Sequence, residues 1–273
     1  PNNPVIGFRS FGEDPDNVAR KGTAYALALQ ENGVLPSLKH FPGHGNTKTD
    51  SHHALPIIKN SFEEIEKVEL YPFQYSIDKG VKGAMVGHLY FPALEPVVNK
   101  SSSLSKNIVT DLLKNKMNYD GIIFTDGLEM KGAYNGTHPD SVCLQALMAG
   151  NDIMILPINA EASMQIIIDA AKNDDEVRNR VEESCKKVLL YKYQIGLNDY
   201  KAQSVDRLQN DLNQNRYYLL KQRLYNEAVT MLENKKDILP LKKNSDIKVA
   251  VVTFGNDNFI SNILNENGNE TDI

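Results

Sequence analysis

Only two cysteines, Cys143 and Cys185, occur in 273 residues, and they do not form a C-x-x-C pair. Both lie in helical, apolar surroundings, so the expectation is two buried thiols rather than a disulfide or a cysteine metal site. No apolar run reaches the roughly 20 residues that a membrane helix needs, which argues against a spanning segment in this chain. Positive charge is not in excess either: 30 Lys and Arg face 35 Asp and Glu, for a formal net charge of -5 with both signs dispersed. That balance gives no footprint for nucleic acid and no polybasic face for a membrane surface, and it leaves a small or neutral ligand as the expected partner. The chain opens at Pro1 without a methionine and shows no signal peptide. It reads as beginning within a domain, cytoplasmic and exported settings both stay open, and no oligomeric state is indicated.

What is present is ordinary globular material, 41% hydrophobic and 24% charged, arranged in repeating units. Asp14-Pro15 reads as a cap and first turn, and Val18, Gly22, Tyr25, Ala26 and Leu29 keep helical spacing up to Gly33. An apolar run, 34–38, predicts a strand. Ser61 and Glu64 form a capping-box signature, and the helix it opens is broken and restarted at Pro72 and ends near Gly80. Strands are then predicted near 82–87, 121–125 and 152–156. Ser105 caps a helix carrying Ile108, Leu112, Leu113 and Met117, a helix near 141–149 stops at Gly150, and further helices cover 160–172 and 175–194. Four strand-helix units in succession imply an α/β fold with parallel strands and helical crossovers.

The character changes at Gly196, after which Asn, Asp, Gln and Lys dominate up to Asn215. A helix near 216–233 follows, then Ile238-Leu239-Pro240-Leu241 and an apolar strand, 249–254. The expected organisation is a domain over 1–195, a linker and helix over 196–237, and the start of a second α/β domain over 238–273.

The chemistry concentrates between Lys39 and His52. Lys39-His40-Phe41-Pro42-Gly43-His44-Gly45, followed by Asp50-Ser51-His52, is a polar loop at the C-terminal end of the first predicted strand, where α/β proteins bind ligands. His88 and Asp126 stand at the ends of the next two strands, so polar residues from three strands converge on one rim. The plainer reading of Asp126 is a helix cap or an ion-pair partner, and that of His53 a solvated loop histidine. Asp50 and His52 are spaced so that carboxylate and imidazole can touch, which fixes the ring and prepares it to move a proton near neutral pH. Zinc ligation by His40, His44, Asp50 and His52 is the rival, but Pro42 and Gly43 break the helical i, i+4 geometry that such pairs use. No metal and no cofactor is expected.

These motifs, with Gly7-Phe8-Arg9-Ser10-Phe11-Gly12 upstream and Phe124-Thr125-Asp126-Gly127-Leu128-Glu129-Met130 downstream, resemble the family 3 glycoside hydrolases, in particular their β-N-acetylglucosaminidase branch. Glu227-Ala228-Val229-Thr230 to Leu239-Pro240-Leu241 resembles the approach to that family's second domain. The resemblance implies a TIM-type (β/α)8 barrel of which this chain carries the C-terminal half, followed by the start of an α/β sandwich domain. It implies a retaining hydrolase that removes terminal β-linked N-acetylglucosamine from a small carbohydrate or a peptidoglycan-derived saccharide, as in cell-wall turnover. Asp126 matches the nucleophile, and His52 the acid/base with Asp50 as its partner; Arg9, Lys39, His40 and His88 match residues around the sugar. Gly127 departs from the second acidic residue that many members carry. A β-glucosidase, a glycoside phosphorylase and a non-catalytic carbohydrate-binding remnant are the alternatives.

Overall fold

A computed structural model describes residues 3, 5–134, 138–202, 204–237, 239–240, 249–250 and 271–272. The chain divides into two compact units, Pro1–Lys201 and Ala202–Ile273. The first unit is α/β, built on a four-stranded parallel sheet of β1, Leu38–Phe41, β2, Gly83–Val86, β3, Ile122–Gly127, and β4, Ile153–Ile155, whose spatial order is the chain order. This is the arrangement of a TIM-like domain, with each strand joined to the next across helices.

Local chemistry sets the helices. In α1, Pro15–Glu31, the Asp14 carboxylate accepts from the Asn17 N–H and Pro15 supplies the first turn, as the sequence predicted. Helix α2, Phe62–Lys67, opens on a complete Ser61/Glu64 capping box, and α3, Tyr71–Asp78, restarts with Pro72 in its first turn. Beyond β2, Gly83–Val86, the helix Asn107–Lys116 is wound wider than an α-helix, as in the 2.9 Å bond from the Met117 N–H to the Leu112 carbonyl. The wide turn stacks Ile108, Leu112 and Met117 along the face that packs on the sheet. Ser105 still caps it, accepting from the Ile108 N–H at 3.2 Å. After β3, Ile122–Gly127, come α4, Val142–Ala149, β4, Ile153–Ile155, α5, Ala160–Asn173, and α6, Asp175–Gln194.

The main core lies between the sheet and the helices, where Phe41, Val86, Leu89, Phe91, Ile108, Leu113 and Ile123 are fully buried. A smaller cluster gathers Leu104, Leu128, Val142, Cys143 and Ala146. Asp152, with no side-chain exposure, pins α6 to the sheet through Arg180 at 2.9 Å and Lys187 at 3.2 Å.

Three expectations need correction. The first strand is β1, Leu38–Phe41, and 34–37 are not paired, because pairing with β2 begins at Leu38 opposite Ala84 and Val34 is left exposed. Lys39 and His40 therefore stand in a strand rather than after it. Asp126 is likewise inside β3, since Gly127 still pairs with Ile155. Cys143 is buried, but Cys185 is exposed on the solvent side of the polar helix α6.

The second unit carries α7, Leu208–Leu212, and α8, Asn215–Ala228, the latter ending before the predicted 233 where Val229 turns extended ahead of Thr230. Val249–Ala250, β5, pairs in parallel with Thr271–Asp272, β6. The rest of the predicted strand 249–254, together with Ile238 and Leu241, lies outside the described residues.

Candidate active site

Two irregularities of pairing build the rim. Between β1 and β2 the register passes from Lys39 opposite Met85 to Phe41 opposite Val86, so His40 is an extra residue with no partner of its own. Between β3 and β4 it passes from Phe124 opposite Ile153 to Gly127 opposite Ile155, so Thr125 and Asp126 oppose a single residue. A bulge re-aims the side chain that it carries, and bulges are uncommon between parallel strands. Here two of them turn His40 and Asp126 toward each other, with His40 Nε2 3.7 Å from Asp126 Oδ2. The Thr125 hydroxyl repairs the ladder by accepting from the Ile155 N–H at 3.0 Å.

His40 is buried, and its pKa falls to about 4, chiefly through burial, with the Asp126 charge opposing and His44, Lys39 and Arg9 adding to the fall. The imidazole is therefore neutral at pH 7. Its Nδ1 is buried without a hydrogen-bond partner, a state that costs roughly 1–3 kcal/mol unless something satisfies it. Lys39 and Arg9 are exposed, and their charges reach His40 from β1 and from the turn Gly7–Arg9.

The dyad predicted from spacing is formed: His52 Nδ1 is 2.7 Å from Asp50 Oδ1, which also accepts from the His52 N–H at 2.9 Å. Those two bonds hold the Asp50 carboxyl below its usual range. His53 is largely solvated, 4.0 Å from the other Asp50 oxygen.

His88 is fully buried, and both its nitrogens are committed. A carbonyl only accepts, so Nε2–H donates to the Gly127 oxygen at 2.9 Å, and Nδ1 accepts from the Ser103 hydroxyl at 2.8 Å. Burial lowers its pKa, and the charges of Asp126 and His52 both reach it. His88 thus stands behind the rim and fixes the peptide next to Asp126.

Sequence reasoning missed the supports. His44 is buried between Asn3 and Ser51, with its ring 5.6 Å from that of His40. Gly43, at φ +140°, lies on Glu69, where a Cβ would come within 2.7 Å of the Glu69 Cβ. Gly132 donates to the Ser51 carbonyl at 3.3 Å, and a Cβ there would meet that oxygen at 3.0 Å and His88 Cβ at 3.1 Å. Gly43 within the loop motif and Gly132 just after the Asp126 motif carried a signal, because backbone approach this close tolerates nothing larger.

Among the described residues no three His, Cys, Asp or Glu side chains gather as a metal site, and no helix is long and apolar enough to cross a membrane. β1, β3 and the loop after β1 thus carry a carboxylate, an imidazole bonded to a carboxylate, a neutral buried imidazole and an exposed lysine.

A family model for the glycosyl hydrolase family 3 N-terminal domain matches residues 1–190. β-Hexosaminidase A of Pseudoalteromonas piscicida is 31% identical over 266 residues, covering 90% of this chain and 44% of that protein. The solved family 3 β-N-acetylglucosaminidase of Paenibacillus sp. str. FPU-7 superposes with a TM-score of 0.80 at 28% identity, covering 99% of this chain and 53% of the other. A β-glucoside phosphorylase superposes with a TM-score of 0.82 at 20% identity, a likeness of fold alone. The chain spans about half the length of the curated relatives it matches.

Proposed function

The chain belongs to glycosyl hydrolase family 3, and from that membership and the geometry of the rim we propose that the protein it forms part of removes terminal β-linked N-acetylglucosamine with retention of configuration. The observation that carries the reading is the formed Asp50/His52 dyad, at 2.7 Å, in the loop that follows β1, while Asp126 is held at a strand bulge facing His40 of β1.

In the first step an Asp126 carboxylate oxygen attacks the anomeric carbon, and the bond from that carbon to the aglycone oxygen breaks. His52 gives its proton to the departing oxygen. Because Nδ1 is held by Asp50, Nε2 is the nitrogen that carries this proton. In the second step water attacks the same carbon, Nε2 takes the water's proton, and Asp126 leaves as carboxylate. Two displacements at one carbon return the original configuration. An imidazole with a carboxylate behind it replaces the second carboxyl group that most retaining glycosidases use.

His40 faces Asp126 through Nε2 at 3.7 Å, which supports its place beside the nucleophile in the subsite. Arg9 and Lys39 supply donors from the exposed side. His88 serves from behind, since both its nitrogens are in use. The partner class is a small saccharide, a peptidoglycan-derived one included.

The same reading extends to architecture. Residues 1–195 are the last four units of an eight-stranded barrel, 196–237 a connector, and 238–273 the beginning of a second α/β domain. Three facts support it: β1 and β4 are the outer strands of an open parallel sheet, β4 is only half-buried, and Leu156 and Ile158 beside it are exposed. Strands contributed by the longer protein would cover that edge.

The test is the anomer first formed by the full-length protein from an aryl β-N-acetylglucosaminide, followed by NMR. The β-anomer is expected, with turnover abolished in Asp126→Ala. The α-anomer would refute the double displacement, and turnover that requires inorganic phosphate would make the protein a phosphorylase.

A further inference from the structure

Between the two strand bulges and the dyad lies a buried side chain that the proposed chemistry does not use, His44. Its ring is held at both nitrogens. The Asn3 side-chain oxygen accepts from the N–H groups of Val5 and Ile6 at 2.9 and 2.8 Å, so the amide nitrogen of Asn3 is the end that faces His44. That nitrogen donates to the carbonyls of His44 and Gly45 and lies 3.4 Å from His44 Nδ1, so Asn3 ties the backbone and ring of His44 to the opening turn. On the other edge of the ring, Nε2 and the Ser51 hydroxyl share a hydrogen bond of 3.1 Å. Ser51 is itself buried, and it is the residue between Asp50 and His52. From the other side the Gly132 N–H holds the Ser51 carbonyl at 3.3 Å, close against His88.

We propose that His44 is a positioning residue: by holding Ser51 from within the core, it sets where the Asp50/His52 dyad stands on the rim. The dyad residues are themselves exposed, His52 by 57% and Asp50 by 33% of their side chains, and their bonds to each other do not fix them to the rest of the domain. Ser51 is the anchor, gripped through its hydroxyl by His44 and through its carbonyl by Gly132. Burial lowers the His44 pKa, against a hydrogen bond to its own backbone and the charges of Asp126 and Asp50. The charged and titratable groups around it are Asp126 of β3, Asp50 of the loop, Arg9 of the opening turn and His40 of β1.

The inference rests on the proposed role of His52, so the experiment has one readout that needs no turnover. In the substrate-free full-length protein, hydrogen exchange at the amides of His53 and Ala54, both bonded to the Asp50 carbonyl at 3.1 Å, reports whether the loop is docked. His44→Asn cannot reach Ser51 and should raise exchange there several-fold while leaving β1 to β4 unchanged. His44→Gln restores a hydrogen-bonding group near the position of Nε2 and should restore protection. In turnover, His44→Asn should lose about 10- to 100-fold in kcat on substrates with poor leaving groups, the scale of a misplaced catalytic group, and less on activated ones. Ser51→Ala, which removes only the hydroxyl, should reproduce both effects if His44→Asn fails to fold. Unchanged exchange, or equal losses for good and poor leaving groups with no recovery in His44→Gln, would overturn the proposal. A wild-type protein inactive on N-acetylglucosaminides would defeat the reading of His52 instead, and the exchange result would still decide the docking.

Discussion

His52→Ala should cost about 10²–10⁴-fold in turnover of the full-length protein, the range for losing one general acid/base group. The loss should fall on substrates with poor leaving groups, since an activated leaving group departs without a proton. Added azide should then restore the second step, because it attacks the glycosyl-enzyme without a base. Equal loss across leaving groups, with no response to azide, would place His52 in binding or folding. At this scale the sequence was most legible where partners are close in the chain. Asp50 and His52 are two apart, and their spacing predicted the bond that forms. The only task that spacing suggests for His44 is zinc ligation, because its actual contacts to Asn3 and Ser51 lie 41 and 7 residues away and no spacing rule joins them.

Elements repeat that division between local and distant chemistry. Asp14 and Ser61 cap helices through neighbours three residues on, so both helix starts could be read directly. The apolar run 34–38 looks like a strand by composition, yet β1 is set by pairing with β2 and falls at Leu38–Phe41. The two bulges are properties of pairing between strands, and no single segment encodes them. How α6 is held is equally distant: Asp152 meets Arg180 and Lys187 from across 28 and 35 residues. Removing one member of a buried ion network leaves the others uncompensated, so Asp152→Ala should cost about 3–5 kcal/mol. Burial pushes the Asp152 carboxyl up, but Lys187 and the Arg180 hydrogen bond outweigh it, and its pKa is lowered overall. The unfolded carboxyl takes its proton near pH 3.9. The stabilisation is therefore complete above about pH 4 and is lost as pH falls through the lower, folded value. Urea midpoints followed against pH should drop steeply below pH 4 in the wild type and more gently in Asp152→Ala. Parallel curves would show that Asp152 does not carry that acid sensitivity.

For the molecule as a whole, a parallel sheet with its chain order intact positions four strand ends on one rim, and the comparisons put the chain in a family of glycosidases. What the family supplies and the sequence alone could not is the sugar; what the structure adds is the means by which His40 and Asp126 are turned toward each other. The central claim is that Asp126 forms a bond to the sugar. It is tested most directly by exposing the full-length protein to a fluorinated N-acetylglucosaminyl donor that slows the second step, then digesting it and locating the added mass. The account predicts a single glycosylated peptide with the sugar on Asp126, and none in Asp126→Ala. A sugar attached to another residue, or turnover of the donor with no covalent species at any time, would contradict it.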